Sequence, residues 1–151
     1  MWAASFRGTA IVAGRSTQSL AGMKERFRPG TEAQIASDSP TSSFSGVFED
    51  DGETGYFYAY DRANPNGVLD AVHIYDVEDV GERDRERDSE AEVFWSTDGL
   101  KAGLLINDYL HAVIDFERRK AYCRSNFPPP GGPWHAEVRE PWSDDLAKLL
   151  D

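Results

Sequence analysis

The fold of this chain is decided by one stretch, Val47–Asp61, which reads VFEDDGETGYFYAYD. An Asp-Gly pair lies near its middle, between two runs rich in aromatic and other strand-forming residues. Such a pair favours the tight turns that join antiparallel strands, because glycine accepts the left-handed backbone that these turns need. The stretch therefore predicts a β-hairpin with strands at Phe44–Glu49 and Thr54–Tyr60.

Residues alternate in character along the second strand of this hairpin. Its three tyrosines fall on one face, and Phe57 and Ala59 fall on the other, as the two-residue period of a strand requires. We expect Phe57 and Ala59 to face the core and the tyrosine face to be partly covered.

Further strands are predicted on the C-terminal side of the hairpin, each bounded by polar turns. They are expected at Val68–Val77, Ala91–Thr97, Lys101–Ile106, His111–Phe116 and Ala121–Arg124. Short turns between successive strands imply antiparallel pairing, and no strand–helix–strand spacing supports a doubly wound fold. The sequence thus predicts a mainly β (α+β) fold, an antiparallel sheet or meander of about seven strands.

Two segments outside the strands are predicted from their composition. Residues 78–90 carry charges of both signs and almost no apolar side chains, which indicates a solvated loop or a frayed helix. Near the C-terminus, Ser143 is a suitable N-cap before two aspartates, and leucines follow on one stripe. This pattern predicts a short C-terminal helix.

The chain divides by charge near residue 28. Residues 1–28 hold five basic residues and one acidic residue, whereas residues 29–151 hold 11 of the 16 basic and 26 of the 27 acidic residues. We therefore expect residues 1–28 to be a basic N-terminal extension outside the fold and residues 29–151 to be a single β-rich domain. Met23, followed by Lys-Glu-Arg, resembles the start of a bacterial protein. The sequence is therefore compatible with translation from Met1 and with translation from Met23.

The net charge of −11 bears on the classes of partner. A protein with this much negative charge repels the phosphate backbone of nucleic acids and the surface of anionic membranes. It favours a basic protein partner, which opposite charge would steer towards it. No apolar run approaches the roughly 20 residues of a membrane-spanning helix. The single cysteine, Cys123, excludes an internal disulfide, which fits a reducing cytoplasm.

The acidic tip of the hairpin is the first candidate site. Glu49, Asp50, Asp51 and Glu53 are predicted, together with Trp134, to contact a partner protein. Tryptophan is enriched in binding hot spots, although capping of the core is the simpler interpretation of this one. A plain polar turn is likewise the simpler interpretation of the carboxylates. A calcium or magnesium site is a third interpretation, but the loop lacks the EF-hand spacing.

Recognised catalytic motifs are absent from the sequence, which has no nucleophile elbow, no phosphate-binding glycine loop and no zinc-spaced His/Cys cluster. We therefore predict no catalytic residue, no metal and no cofactor. His73 and His111 lie in predicted strands that could pair. A ligand- or metal-binding site that combines them with Asp70, Asp76 or Asp115 is the alternative.

Three long stretches carry a resemblance to a known family. They are VFEDDGETGYFYAYD (Val47–Asp61), LDAVHIYDV (Leu69–Val77) and LLINDYLHAVIDFERRKAYCRSNFP (Leu104–Pro128). The chain resembles, from about Pro29 to Trp142, a bacterial family of uncharacterised small proteins called domain of unknown function 2251. The resemblance implies a short bacterial protein and supplies no catalytic residues.

Two functions are compatible with these observations. The first is a non-enzymatic protein-binding domain, such as an immunity or antitoxin-like inhibitor that presents an acidic surface to a basic, toxin-like partner. The second is a small enzyme or ligand-binding domain that uses His73, His111 and neighbouring carboxylates. A homo-oligomer is a further open possibility.

Overall fold

A computed structural model describes residues 24–64, 67–131, 133–134 and 139–151, and these residues form two antiparallel sheets. In chain order their strands are β1 (Lys24–Phe27), β2 (Ala33–Asp38), β3 (Phe44–Asp50), β4 (Thr54–Asp61), β5 (Val68–Asp76), β6 (Ser89–Trp95), β7 (Lys101–Ile106), β8 (Tyr109–Asp115) and β9 (Lys120–Cys123). One sheet has the order β2-β3-β4-β5 and the other the order β1-β6-β7-β8-β9. The mainly β, antiparallel fold is thus confirmed.

The predicted hairpin is formed by β3 and β4. Phe48 lies opposite Phe57, and the N–H of Asp51 donates a 3.1 Å hydrogen bond to the carbonyl of Thr54 across the turn. Gly52 has a φ of 99°, the left-handed conformation for which glycine is suited. The Asp-Gly signal therefore places the turn correctly.

The seven predicted strands are all present, and two strands are added to them. The added strands are β2 and β1. The arrangement in two sheets rather than one also differs from a simple meander. The chain leaves the first sheet after β5, and β6 then pairs with both β1 and β7 in the second.

The main core lies between the two sheets. Phe57 and Ala59 belong to it, as predicted, together with Leu104 and Ile114 from the second sheet. The tyrosine face is also covered, because Tyr58 is only 1% exposed and packs in a smaller cluster on the other face of β4. Both faces of the central hairpin are therefore buried.

Helical structure is short in the part of the chain that the structure describes. A 3₁₀ turn at Val77–Asp79 and one α-helical turn at Glu82–Arg85 occupy the charged segment, which agrees with the predicted loop or frayed helix. The predicted C-terminal helix is a 3₁₀ helix at Asp144–Leu150. Its N-cap is Ser143, whose hydroxyl accepts a 3.2 Å hydrogen bond from the N–H of Asp145. None of the described helices is long and apolar enough to cross a bilayer.

The N-terminal boundary is visible only in part. Residues 24–27, which belong to the expected extension, form β1, and Phe27 is buried in the core at 6% exposure. This part of the basic segment thus forms an edge strand of the second sheet. The predictions for residues 1–23, including the choice of start, fall outside the described residues.

Candidate functional site

Strand pairing brings the hairpin tip next to the start of the charged segment. Thr54 at the beginning of β4 pairs with Asp76 at the end of β5. The N–H of Val77 donates a 2.8 Å hydrogen bond to the carbonyl of Glu53. A pocket of about 380 Å³ opens between the two segments. Its lining comprises Gly52, Glu53, Thr54, Asp76, Val77, Glu78 and Arg85.

The acidic face, as we name it, consists of four carboxylates: Glu53, Asp76 and Glu78, which line this pocket, and Asp51, which belongs to the same hairpin turn. Three of them are exposed, and the side chain of Asp76 is 42% exposed. Arg85 is the only basic residue in the pocket lining of the described chain. The face therefore presents excess negative charge around a concave opening.

Two of the predicted contact residues lie inside the protein instead. Glu49 is 7% exposed and accepts hydrogen bonds from Gln34 (2.6 Å) and from the hydroxyl of Tyr58 (3.1 Å). Asp50 is 1% exposed. Strand β3 continues through both residues, so their side chains lie within the sheet and do not extend from the turn.

The Asp50 carboxylate joins three parts of the chain. It accepts hydrogen bonds from the N–H of Gly30 (2.8 Å), the N–H of Gly52 (2.8 Å) and the hydroxyl of Tyr75 (2.6 Å). Burial, followed by the hydrogen bond to Asp50, raises the pKa of Tyr75, so its hydroxyl remains a donor. Asp50 thus has a structural role.

Asp51 is exposed but held in place by the turn. Its carboxylate accepts hydrogen bonds from the N–H groups of Glu53 (2.9 Å) and Thr54 (2.8 Å). Burial alone would raise the pKa of Asp51, but these bonds together outweigh it and lower the pKa. Asp51 therefore stays negatively charged, and Glu53 beside it is exposed as well.

Trp134 lies in the core. Its side chain is 9% exposed, and its ring meets that of Phe116 edge-on at 5.6 Å. Capping of the core, the simpler interpretation, describes this residue. Of the five predicted contact residues, only Asp51 and Glu53 reach the surface, and Asp76 and Glu78 join them there.

His73 has one neighbour that the sequence indicated, Asp76, and one that it did not, Ser125. Its Nε2 lies 3.0 Å from Oδ1 of Asp76, and its Nδ1 lies 3.2 Å from Oγ of Ser125. The Asp76 contact matches one of the predicted combinations. Ser125 was missed because it is 52 residues away in sequence and stands in no motif. Only the approach of the segment after β9 to the edge of β5 brings it there.

The other predicted members of a histidine site have separate partners. His111 on β8 contacts the ring of Tyr109 edge-on at 5.3 Å. Asp70 pairs with the buried Arg139 at 2.9 Å. Asp115 accepts hydrogen bonds from the N–H groups that follow it, at 3.1 and 3.0 Å, and closes the turn after β8. Of the three carboxylates considered, the structure thus brings only Asp76 to His73.

Burial, followed by the positive charge of Arg124, lowers the pKa of His111 to about 4. This histidine is neutral at physiological pH. Among residues 24–64, 67–131, 133–134 and 139–151, no group of three His, Cys, Asp or Glu side chains is arranged to hold a metal ion.

The fold and this surface define a class of small two-sheet antiparallel β domain with an acidic pocket at one end of a sheet. Residues 27–151 match the model of DUF2251, described as an uncharacterized protein conserved in bacteria. The chain belongs to this family, and the resemblance of its three sequence stretches is confirmed.

A relative from Haemophilus influenzae (strain ATCC 51907 / DSM 11121 / KW20 / Rd), named as an uncharacterized protein, is 42% identical over 103 residues. The match covers 67% of this chain and 63% of the relative, so the chain spans less than two thirds of the relative's length. No solved structure gives a significant match.

Proposed function

We propose that this domain is a protein-binding module that engages a basic partner through the acidic face. An inhibitor of the immunity or antitoxin kind is the form of binding protein that we favour. The observation that carries the proposal is the junction of two acidic stretches, distant in sequence, around one pocket of about 380 Å³.

The charge arrangement suits a lysine or arginine side chain. Glu53, Asp76 and Glu78 come from two segments of the chain that line one pocket, and carboxylates are the groups that a forked guanidinium group binds. Concave walls also strengthen the local field, and the overall charge of −11 extends the attraction beyond the pocket. Opposite charge would chiefly accelerate association and exclude acidic competitors.

The same charges oppose other kinds of partner. Nucleic acids and anionic membranes would meet repulsion at the acidic face, so we propose a protein partner and a cytoplasmic location. The lone cysteine supports that location, because Cys123 is buried and unpaired by any disulfide.

Affinity capture from a lysate of the source bacterium tests the proposal. The native chain, a Glu53→Lys/Glu78→Lys variant and a matched Asp145→Lys/Asp151→Lys control are immobilised in parallel. Both variants change the charge equally, but the control changes exposed carboxylates at the C-terminus. We expect one basic protein to be retained by the native chain and the control and lost from the variant.

The captured protein must then bind the native chain when both are purified. Capture of the same proteins by all three chains, or of no specific protein, would contradict the proposal. Gel filtration of the native chain alone distinguishes self-association from binding of a partner.

A further inference from the structure

We infer that Ser125 is a nucleophile activated by His73, a site that goes beyond the proposed binding function. The Ser125 hydroxyl is 3.2 Å from Nδ1 of His73, and the opposite ring nitrogen is 3.0 Å from Asp76. A nucleophile, a base within hydrogen-bond reach and a group that orients the base form the arrangement used in nucleophilic catalysis.

The surroundings hold the imidazole ring in one orientation. Tyr56 and Phe127 meet it edge-on, with ring centroids at 5.7 and 5.9 Å. The His73 side chain is 15% exposed, whereas Ser125 is exposed to solvent. The base is thus shielded while the nucleophile stays accessible to a ligand.

Backbone contacts fix Ser125 beside the ring. The N–H of His73 donates a 2.8 Å hydrogen bond to the carbonyl of Phe127, which holds the segment after β9 against the edge of β5. Asn126, the residue after Ser125, has a φ of 57° and turns the chain sharply. The serine therefore stands on a tight turn that is attached to a strand.

The proton positions follow from these contacts. With a proton on Nε2, His73 donates to Asp76, and its Nδ1 lone pair can then accept from the Ser125 hydroxyl. Nδ1 is the nearest partner of Ser125 Oγ, which also lies 3.4 Å from the carbonyl oxygen of His73 and 3.4 Å from Cys123 Sγ. As Oγ attacks the carbonyl carbon of an ester, its proton passes to Nδ1. That proton then leaves with the departing alkoxide as an alcohol, the ester C–O bond breaks, and the acyl group remains on Ser125. Water can repeat the sequence and release the acid.

Phe127 indicates the chemical class of ligand. Its side chain is 51% exposed and lies next to the His73 ring, so it offers an apolar surface near the reacting hydroxyl. An ester with a small apolar acyl group suits this surface.

Diisopropyl fluorophosphate provides a direct test on the native chain. Ser125 Oγ forms a bond to phosphorus, the P–F bond breaks, and the hydroxyl proton passes to His73. General-base assistance contributes about 10²-fold or more, so we expect Ser125 to be modified about 10²-fold faster than the exposed Ser143. Peptide mass spectrometry measures both rates in one sample.

Two variants extend the test. Ser125→Ala removes one exposed hydroxyl and should abolish modification at this position, and His73→Gln should lower the Ser125 rate to that of Ser143. If His73→Gln does not fold, the ratio of Ser125 to Ser143 in the native chain decides alone. Equal rates at the two serines would overturn the inference.

Asp76 is a positioning residue here, and conservative rescue tests it. Asp76→Ala should slow modification of Ser125, and Asp76→Glu should restore part of the rate. Both variants should alter the melting temperature, so recovery of the rate is what distinguishes positioning from a purely structural role. Failure of Asp76→Glu to restore any rate would remove Asp76 from the site.

Discussion

Asp50 shows how far single residues can depart from what local sequence indicates. In the sequence it is one of several adjacent acids at a turn. In the structure it is 1% exposed and accepts three hydrogen bonds. Two of its donors, Gly30 and Tyr75, are 20 and 25 residues away. Local pattern could place the turn, but it could not show which carboxylate points inward.

Replacement of Asp50 should therefore affect stability more than replacement of its neighbour. Asp50→Ala removes a buried carboxylate and all three of its hydrogen bonds, and it should lower the free energy of unfolding by about 3 kcal/mol. Asp51→Ala, which removes hydrogen bonds at an exposed turn, should cost about 1 kcal/mol. Urea unfolding of the two variants measures the difference, and equal losses would contradict the structural role of Asp50.

His111 should make stability depend on pH. Its pKa is about 4 in the folded chain, below the ordinary 6.5, so the unfolded chain binds more protons between these values. The contribution is intact above about pH 6.5 and is lost as the pH falls towards 4. His111→Gln should lose less stability than the native chain over this interval. Parallel unfolding curves at several pH values measure it, and identical slopes for both chains would refute the prediction.

At the scale of the elements, a buried ion pair attaches the segment after β9 to β5. Arg139 donates to both oxygens of Asp70, at 2.9 and 3.1 Å, and to the carbonyls of Pro128 and Ala121 at 2.7 and 2.8 Å. Both side chains of the pair are 2% exposed. Arg139 thereby joins β5, β9 and the C-terminal segment.

Arg139→Met should leave the Asp70 carboxylate buried without its cation, at a cost of about 3–5 kcal/mol. Adding Asp70→Asn to this variant should recover part of the loss, because the unpaired charge is then gone. Urea unfolding of the single and double variants gives both values. A loss below about 1 kcal/mol for Arg139→Met would show that the pair does not hold the segment.

Elements were predictable where short-range signals define them. The β3–β4 hairpin follows from Asp51-Gly52, and β7 was predicted with its observed bounds, Lys101–Ile106. Strand β1 is not predictable in this way, because its four residues, Lys-Glu-Arg-Phe, have no strand pattern of their own. They form a strand through their pairing with β6. The site shows the same limit, since the contact of His73 with Ser125 depends on the distance between β5 and the segment after β9.

At the scale of the whole molecule, the acidic face arises from the acidic residues of the sequence together with the order of the strands. The sequence shows where acidic residues are dense, but only the sheet order shows that two such stretches meet. Of the acidic residues near the hairpin turn, the buried Glu49 and Asp50 stabilise the hairpin. The more exposed carboxylates of the acidic face are the ones that we propose to contact a partner. We therefore propose that this face attracts a basic protein.

The association rate of the purified complex as a function of ionic strength tests this claim most directly. Raising the ionic strength from about 0.01 M to about 1 M shortens the Debye length from about 30 Å to about 3 Å. We expect the native rate constant to fall at least about tenfold. The Glu53→Lys/Glu78→Lys variant should associate slowly, with a much weaker dependence on salt. A native rate that does not change with ionic strength, or a variant that matches it, would contradict the account.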